Sequence, residues 1–401
     1  MAFFEYLGDA MKWTSRTGFT RVVAAAGVLL PAFLMPAEAK PKLPVFGFYT
    51  SWAPPSVRYD KITHLMYAFL NPGGGGQITG SVPGDVISTA HGAGVKVIAS
   101  IGGANNSSGF PTLAASASGR SAFAGACKAI VDAGADGVDI DWEFPANATD
   151  STNFTLLLKA IRASIGASKL ITLELAPTDE KGRWVPKGSV DIADFYTAMA
   201  FDFTGDFPGS VVGQHSTYQQ GVLGINYWWR NRGVRKDKVV MGVPFYGKNF
   251  NAGGSAVDYK DIVNANPGLA AAADSVGKTW FNGPVTIKKK ATYVAEQAYG
   301  GVMIWQLGGD TSPGAKSLLD AIEQGLAAPA VRITAREGGK NPSGGSGSPA
   351  LAWIASQGSP ENGTSVRLRA VDGRLSATYG TSGANRSMPA AGIYLIEPGR
   401  N

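Results

Sequence analysis

Lys96-Val97-Ile98-Ala99-Ser100-Ile101 is a short, almost unbroken apolar run. A strand with one solvated face alternates apolar and polar residues, whereas this composition fits a strand covered on both faces in a parallel sheet. Seven further runs share its character. Together they give eight strand candidates: 45–52, 64–70, 96–102, 137–144, 171–177, 196–203, 238–246 and 301–307. Helical patterns fill most of the gaps. Residues 118–133 carry apolar side chains at three- and four-residue spacing and stop at Gly134, a helix C-terminal signal. Residues 153–165 follow Asp150, Ser151 and Thr152, each able to cap a helix. The patterns over 218–232 and 287–299 end at Gly233 and Gly300, and 315–326 follows the last strand. This alternation predicts an α/β fold, a (β/α)8 TIM barrel over 40–330. A doubly wound open sheet is the alternative, but no glycine-rich phosphate loop follows the first strand. The gaps after strands one and five leave little room for full helices. The segment 249–286, between strands seven and eight, is too long for a simple loop and reads as a short excursion over the barrel's C-terminal face.

Composition narrows the function classes. The chain has 401 residues, 44% hydrophobic and 16% charged, so a large core is available. Its net charge of +6 comes from scattered Lys and Arg, which does not mark a nucleic-acid partner. The one dense run, Lys288-Lys289-Lys290, reads as a solvated helix face. Cys127 is the single cysteine, excludes an intramolecular disulfide, and reads as a small buried hydrophobe. His64, His91 and His215 are far apart in sequence, so neither a metal site nor a cofactor is expected. At the N-terminus, Lys12, Arg16 and Arg21 precede the apolar stretch 22–35, and Ala37-Glu38-Ala39 follows. That order predicts a signal peptide over 1–39 with cleavage after Ala39, giving a secreted or periplasmic monomer with no stable membrane insertion. An uncleaved anchor is the competing reading, although the stretch is shorter than the ~20 residues of a spanning helix. Residues 331–348 read as a Gly/Ser linker, ending Ser343-Gly344-Gly345-Ser346-Gly347-Ser348. The tail 349–401 reads as a small β module or an unpacked segment. Its features are a hairpin turn at Asp372-Gly373 and a third strand candidate over 391–396.

The chemistry is concentrated in Asp136-Gly137-Val138-Asp139-Ile140-Asp141-Trp142-Glu143. Strand alternation points Asp139, Asp141 and Glu143 one way and Val138, Ile140 and Trp142 the other, toward covering helices. Glu143 comes last and falls at the C-terminal mouth, where barrel enzymes hold their active sites. Asp136 has the opposite parity and reads as a structural acid at the entry turn. Crowded, buried carboxyls raise one another's pKa, which keeps a terminal Glu protonated as a general acid requires. A calcium loop is the competing reading, but it would place polar or Gly residues between the acids.

This run resembles the signature of glycoside hydrolase family 18, the chitinases. Four other segments resemble the family's strand motifs: Ser100-Ile101-Gly102-Gly103, Met199-Ala200-Phe201-Asp202, Gly242-Val243-Pro244-Phe245-Tyr246-Gly247 and Gly301-Val302-Met303-Ile304-Trp305. The resemblance covers most of 44–326. It implies hydrolysis of chitin or chitooligosaccharides with retention, by a substrate-assisted mechanism outside the two-carboxylate scheme. In that mechanism Glu143 is the acid, Asp141 orients the substrate's acetamido group, and Asp139 shares a proton with Asp141. Ser100 and Tyr49 would support that pair. Asp202 would hydrogen-bond the acetamido group or Glu143, and Trp305 would floor the site. Met199, Phe201 and Tyr246 complete the implied substrate-binding set. Two positions depart from the family pattern. Phe201 stands where Tyr is usual and loses a hydroxyl, and Lys248 stands where Arg is common. Trp52, Phe144, Trp184 and Trp280 are candidate sugar-stacking rings. The short excursion implies a shallow cleft and internal cleavage. An endo-β-N-acetylglucosaminidase, a peptidoglycan hydrolase and a non-catalytic chitin-binding lectin are the other readings, and lectin-like relatives have usually lost the terminal acid.

Overall fold

The computed structural model describes residues 43–189 and 191–327, together with three strands nearer the C-terminus. The expected signal peptide over 1–39 and the linker 331–348 lie outside the described residues. Eight parallel strands close on themselves: β1 (Val45–Thr50), β2 (His64–Pro72), β3 (Lys96–Gly102), β4 (Gly137–Asp141), β5 (Leu170–Leu175), β6 (Phe195–Ala198), β7 (Val239–Pro244) and β8 (Gly301–Trp305). Each pairs with the next, and β8 pairs back onto β1, so the sheet is the (β/α)8 barrel that the apolar runs predict. Two strands end three or more residues before their sequence patterns. The fourth stops at Asp141, not at 144, and the sixth stops at Ala198, not at 203. Glu143 and Asp202 therefore sit on loops just beyond the strands that aim them.

Strand parity separates two cores. Phe46, Phe48, Met66, Ala68, Ile98, Val240 and Met303 fill the barrel interior. The alternate residues, including Val97, Ile101, Val138, Ile140 and Trp142, pack outward against the helices. The helix α1 (Ala117–Asp132) shows why the layers join. Ser116 caps its start by accepting from the Gly119 N–H, and Phe123, Cys127 and Val131 recur at four-residue spacing on its buried face. Burying a side chain such as Phe123 contributes about 1.5–3 kcal/mol. Gly134, at φ +117°, ends the run in a conformation that favours glycine. The helix α2 (Ala148–Ile165) starts five residues before its sequence pattern. Its cap is Asn147, not Asp150, Ser151 or Thr152, because the Asn147 side chain accepts from the Asp150 N–H. After β1 and β5 there is room only for short turns, Tyr59–Lys61 and Asp179–Gly182.

The Lys288-Lys289-Lys290 run is not uniformly solvated. Lys290 is buried, and its ammonium donates to the Ser216 carbonyl, the Ser216 hydroxyl and Asn282 Oδ1. Three good acceptors replace water there, which a charge count along the sequence does not reveal. Beyond β7 the excursion forms a small antiparallel sheet with a short helix, Tyr259–Ala265. Tyr246–Asn249 pairs there with Ser255–Asp258 and Thr279–Trp280. Nearer the C-terminus, Val366–Ala370 pairs antiparallel with both Leu375–Tyr379 and Tyr394–Pro398.

Gly102 ties the barrel to the site. It ends β3 at φ +113°, and a Cβ there would lie 2.2 Å from the Asp141 carbonyl oxygen. Gly102→Ala is expected to lower stability by more than about 1 kcal/mol. Thermal unfolding checks this, and a variant as stable as the parent contradicts it.

Candidate active site

The acids of β4 are built into the barrel from the inside. Asp139 is fully buried and accepts two hydroxyl hydrogen bonds, from Ser100 Oγ at 2.7 Å and Thr172 Oγ1 at 2.6 Å. These hydroxyls come from the neighbouring strands β3 and β5, in register with Asp139. Tyr49 does not take the supporting part expected of it. Its parity on β1 turns it outward, where it stacks on Tyr67 at 5.7 Å, and Thr172 occupies the place it was assigned. Asp141 lies one level above Asp139 and is hydrogen-bonded to Glu143. Ser107 holds the turn between them. Its hydroxyl accepts from the Glu143 N–H at 2.9 Å and lies 3.0 Å from the carbonyl oxygens of Gly103 and Asp141. Asp136 is at the opposite end of the barrel. It accepts from the Val97 N–H at 2.8 Å and contacts His91 Nε2 at 2.7 Å, so it anchors the start of β3.

Burial dominates the electrostatics. It raises Asp139 to about 6, against the two hydroxyl hydrogen bonds that favour its charge. It raises Asp141 well above the usual carboxylate range, reinforced by the charges of Glu143 and Asp139. Glu143 is raised to about 7 by burial and by the charge of Asp202, while Lys181 pulls it the other way. Asp202 behaves differently. Burial opposes its ionisation, but His215, Lys248 and Tyr246 together hold its pKa below the usual value. Tyr246 donates to Asp202 Oδ1 at 2.7 Å, and Lys248 Nζ lies 3.1 Å from the same oxygen. Asp202 also holds a left-handed backbone, φ +58°, uncommon for a residue with a side chain. The site therefore has one carboxylate kept charged and a group of carboxyls that holds protons.

A cleft of about 380 Å³ opens above these groups. Asp141, Glu143, Met199, Phe201, Asp202 and Trp305 all line it. Trp305 forms an aromatic wall with Phe69, stacked at 5.5 Å, and with Phe48, edge-on at 5.0 Å. Trp52 continues the wall outward, stacked on Phe69 at 5.9 Å and 62% exposed. The other candidate stacking rings are placed elsewhere. Phe144 lies beneath the Lys181 ammonium at 4.9 Å, and Trp280 pairs with Lys248 in the excursion sheet; neither they nor Trp184 are among the lining residues. Ser100 and Tyr246 stand behind the lining and hold Asp139 and Asp202. Among the described residues no group of three or more His, Cys, Asp or Glu is placed to hold a metal ion. The three histidines are dispersed. His64 stacks on Phe46 inside the barrel, His91 meets Asp136, and His215 meets Asp202.

Several site residues carry no motif. Thr172 and Glu174 alternate with Ile171, Leu173 and Leu175 on β5, so polar residues at inward parity were the available signal. Ser107, Phe48 and Phe69 offer none, because their place depends on how loops and neighbouring strands meet.

Comparison with known proteins agrees with this geometry. The family model "Glycosyl hydrolases family 18" matches residues 44–310. Chitinase 63 of Streptomyces plicatus is 29% identical over 58% of this chain and 45% of its own. Chitinase C of Streptomyces lividans is 27% identical over 67% of this chain and 57% of its own. The chain thus spans about half the length of these two curated relatives. The crystal structure of a family 18 chitinase from Flavobacterium johnsoniae superposes with a TM-score of 0.61 at 27% identity, covering 71% of this chain and 94% of that one. With two thirds of its length inside the family match, and the acids of β4 at the mouth of a closed barrel, the chain belongs to the glycosyl hydrolases of family 18.

Proposed function

We propose that this protein hydrolyses β-1,4 bonds between N-acetylglucosamine units of chitin or its oligosaccharides, with retention at the anomeric carbon. The observation that carries the proposal is Glu143, an acid at the cleft mouth with a pKa of about 7, hydrogen-bonded to Asp141 beside an aromatic wall. Protonated Glu143 gives its proton to the glycosidic oxygen as the bond to C1 breaks. The substrate's acetamido oxygen attacks C1 and closes an oxazolinium ring. Water then adds to C1 from the face the leaving group vacated, giving up a proton to the Glu143 carboxylate and opening the ring. Asp141 accepts the acetamido N–H and balances the positive charge on the ring. Asp139, held by Ser100 and Thr172, is the neighbour with which Asp141 exchanges a proton. Trp305 supports the apolar face of the reacting sugar, and Asp202 faces its acetamido group. Relatives described as chitinases support this substrate class, and the small excursion sheet supports an open cleft with internal cleavage.

The test compares the parent with Glu143→Gln on chitooligosaccharides, N-glycans and peptidoglycan. The parent is expected to cleave the first. The variant is expected to bind it with turnover lowered on the order of 10²–10⁴-fold, the usual worth of a positioned acid. Undiminished turnover removes Glu143 from the mechanism. In the same assay, a soluble chitin derivative should lose viscosity early, and a product that is disaccharide from the first turnover contradicts internal cleavage.

The pH profile follows from the sign of the shift. Glu143 must be protonated to act, so activity should hold below its pKa and fall as pH rises through about 7. The Lys181 charge lowers that pKa, so Lys181→Met should move the alkaline limb to higher pH. A limb that stays in place or moves down shows that another group controls it.

A further inference from the structure

Glu174 is an acid of the cleft that the mechanism above does not use. It follows Thr172 by two residues on β5, so it points into the barrel one level above the bond that Thr172 makes to Asp139. Ile140 of β4 is in register with Leu173 of β5, so Asp141 and Glu174 come next at one level on adjacent strands, about 5 Å apart in the pairing direction. Glu174 is 1% exposed, and among the described residues the Thr197 hydroxyl is the one donor near its carboxyl oxygens, neither of which it meets at good hydrogen-bond geometry. Its register partner on β6, Thr197, is the one neighbour that favours its charge; Asp139, Asp141 and Glu143 all oppose it. Asp141 Oδ1 is likewise buried without a partner, and both residues line the cleft.

A buried polar group with no partner costs about 1–3 kcal/mol. Two of them, side by side and facing one cleft, fit a ligand that satisfies both. A secondary amide does so, because it presents one donor and one acceptor. A carboxylate on Asp141 takes the N–H, and an uncharged carboxyl on Glu174 donates to the C=O. The carbonyl oxygen has two lone pairs, so one can take this hydrogen bond while the other attacks C1. Phe201, which also lines the cleft, offers no hydroxyl for that part.

We propose that Glu174 is a specificity-determining residue of this cleft, whose carboxyl hydrogen-bonds the carbonyl oxygen of the reacting sugar's N-acetyl group and fixes it for attack. The proposal rests on the reading of the substrate as an N-acetylglucosamine polymer. Its test measures kcat, KM and thermal unfolding for Glu174→Leu and Glu174→Gln on chitotetraose.

The Leu variant should be at least as stable as the parent, since it removes an unpaired buried acid. Its kcat should fall about 10- to 100-fold, the loss of one hydrogen bond that orients the nucleophile, with KM changed by less than about threefold. The Gln variant keeps an N–H donor and should recover to within about fivefold of the parent. A Leu variant with parental kcat overturns the assignment. So does one whose loss of activity follows a loss of stability, or a Gln variant as slow as Leu. A parent that cleaves no chitooligosaccharide overturns both the substrate reading and this assignment, whereas a parent that does, with unaffected variants, overturns the assignment alone.

Discussion

Asp139, Asp141 and Glu143 stand so close, and so deep, that they cannot all be charged together. Hydroxyls from Ser100 and Thr172 are the donors that meet Asp139, and no cation enters the barrel beside it among the described residues. A low-dielectric interior makes each further negative charge costly, so protons are shared among the group. Glu143, nearest the mouth, is where the retained proton is accessible to a bound sugar. The rest of the site is arranged around that constraint. Asp202 is kept charged by Lys248 and Tyr246, and its field helps hold the proton on Glu143. One carboxylate is stabilised so that another can remain an acid.

The barrel supplies this arrangement at little cost because its interior is divided by height. Phe46, Met66, Ile98 and Val240 fill the inside of the barrel with apolar side chains. The acids and hydroxyls share one region of β3, β4 and β5, where register aligns them across strands. Gly102 permits the close approach of β3 to the Asp141 carbonyl, and Ser107 holds the turn that carries Glu143. The aromatic wall of Trp305, Phe69 and Trp52 then sets an apolar sheet of rings opposite the polar groups, which suits a sugar ring with apolar faces and polar edges.

Much of this could be read from the chain because buried parallel strands announce themselves as apolar runs, and all eight runs became strands. Parity along 136–143 correctly divided inward acids from outward Val138, Ile140 and Trp142. Resemblance and charge runs, read without parity or register, are less dependable. Tyr49 was grouped with the acids by resemblance, yet alternation on β1 sends it outward to Tyr67. Lys290 looked solvated because its acceptors, Ser216 and Asn282, are distant in sequence. Glu174 is visible as a charged residue inside an apolar strand, but its importance depends on how poorly its carboxyl is paired, a property of the folded interior alone.

The account is tested most directly by titrating the carboxyl carbons of a protein labelled with 13C at its Asp and Glu side chains, with the Glu143 signal assigned by its loss in Glu143→Gln. Glu143 is expected to titrate at about 7. A Glu143 that titrates near the ordinary glutamate value of about 4.3 would contradict the account, because it would be charged at neutral pH and have no proton to give.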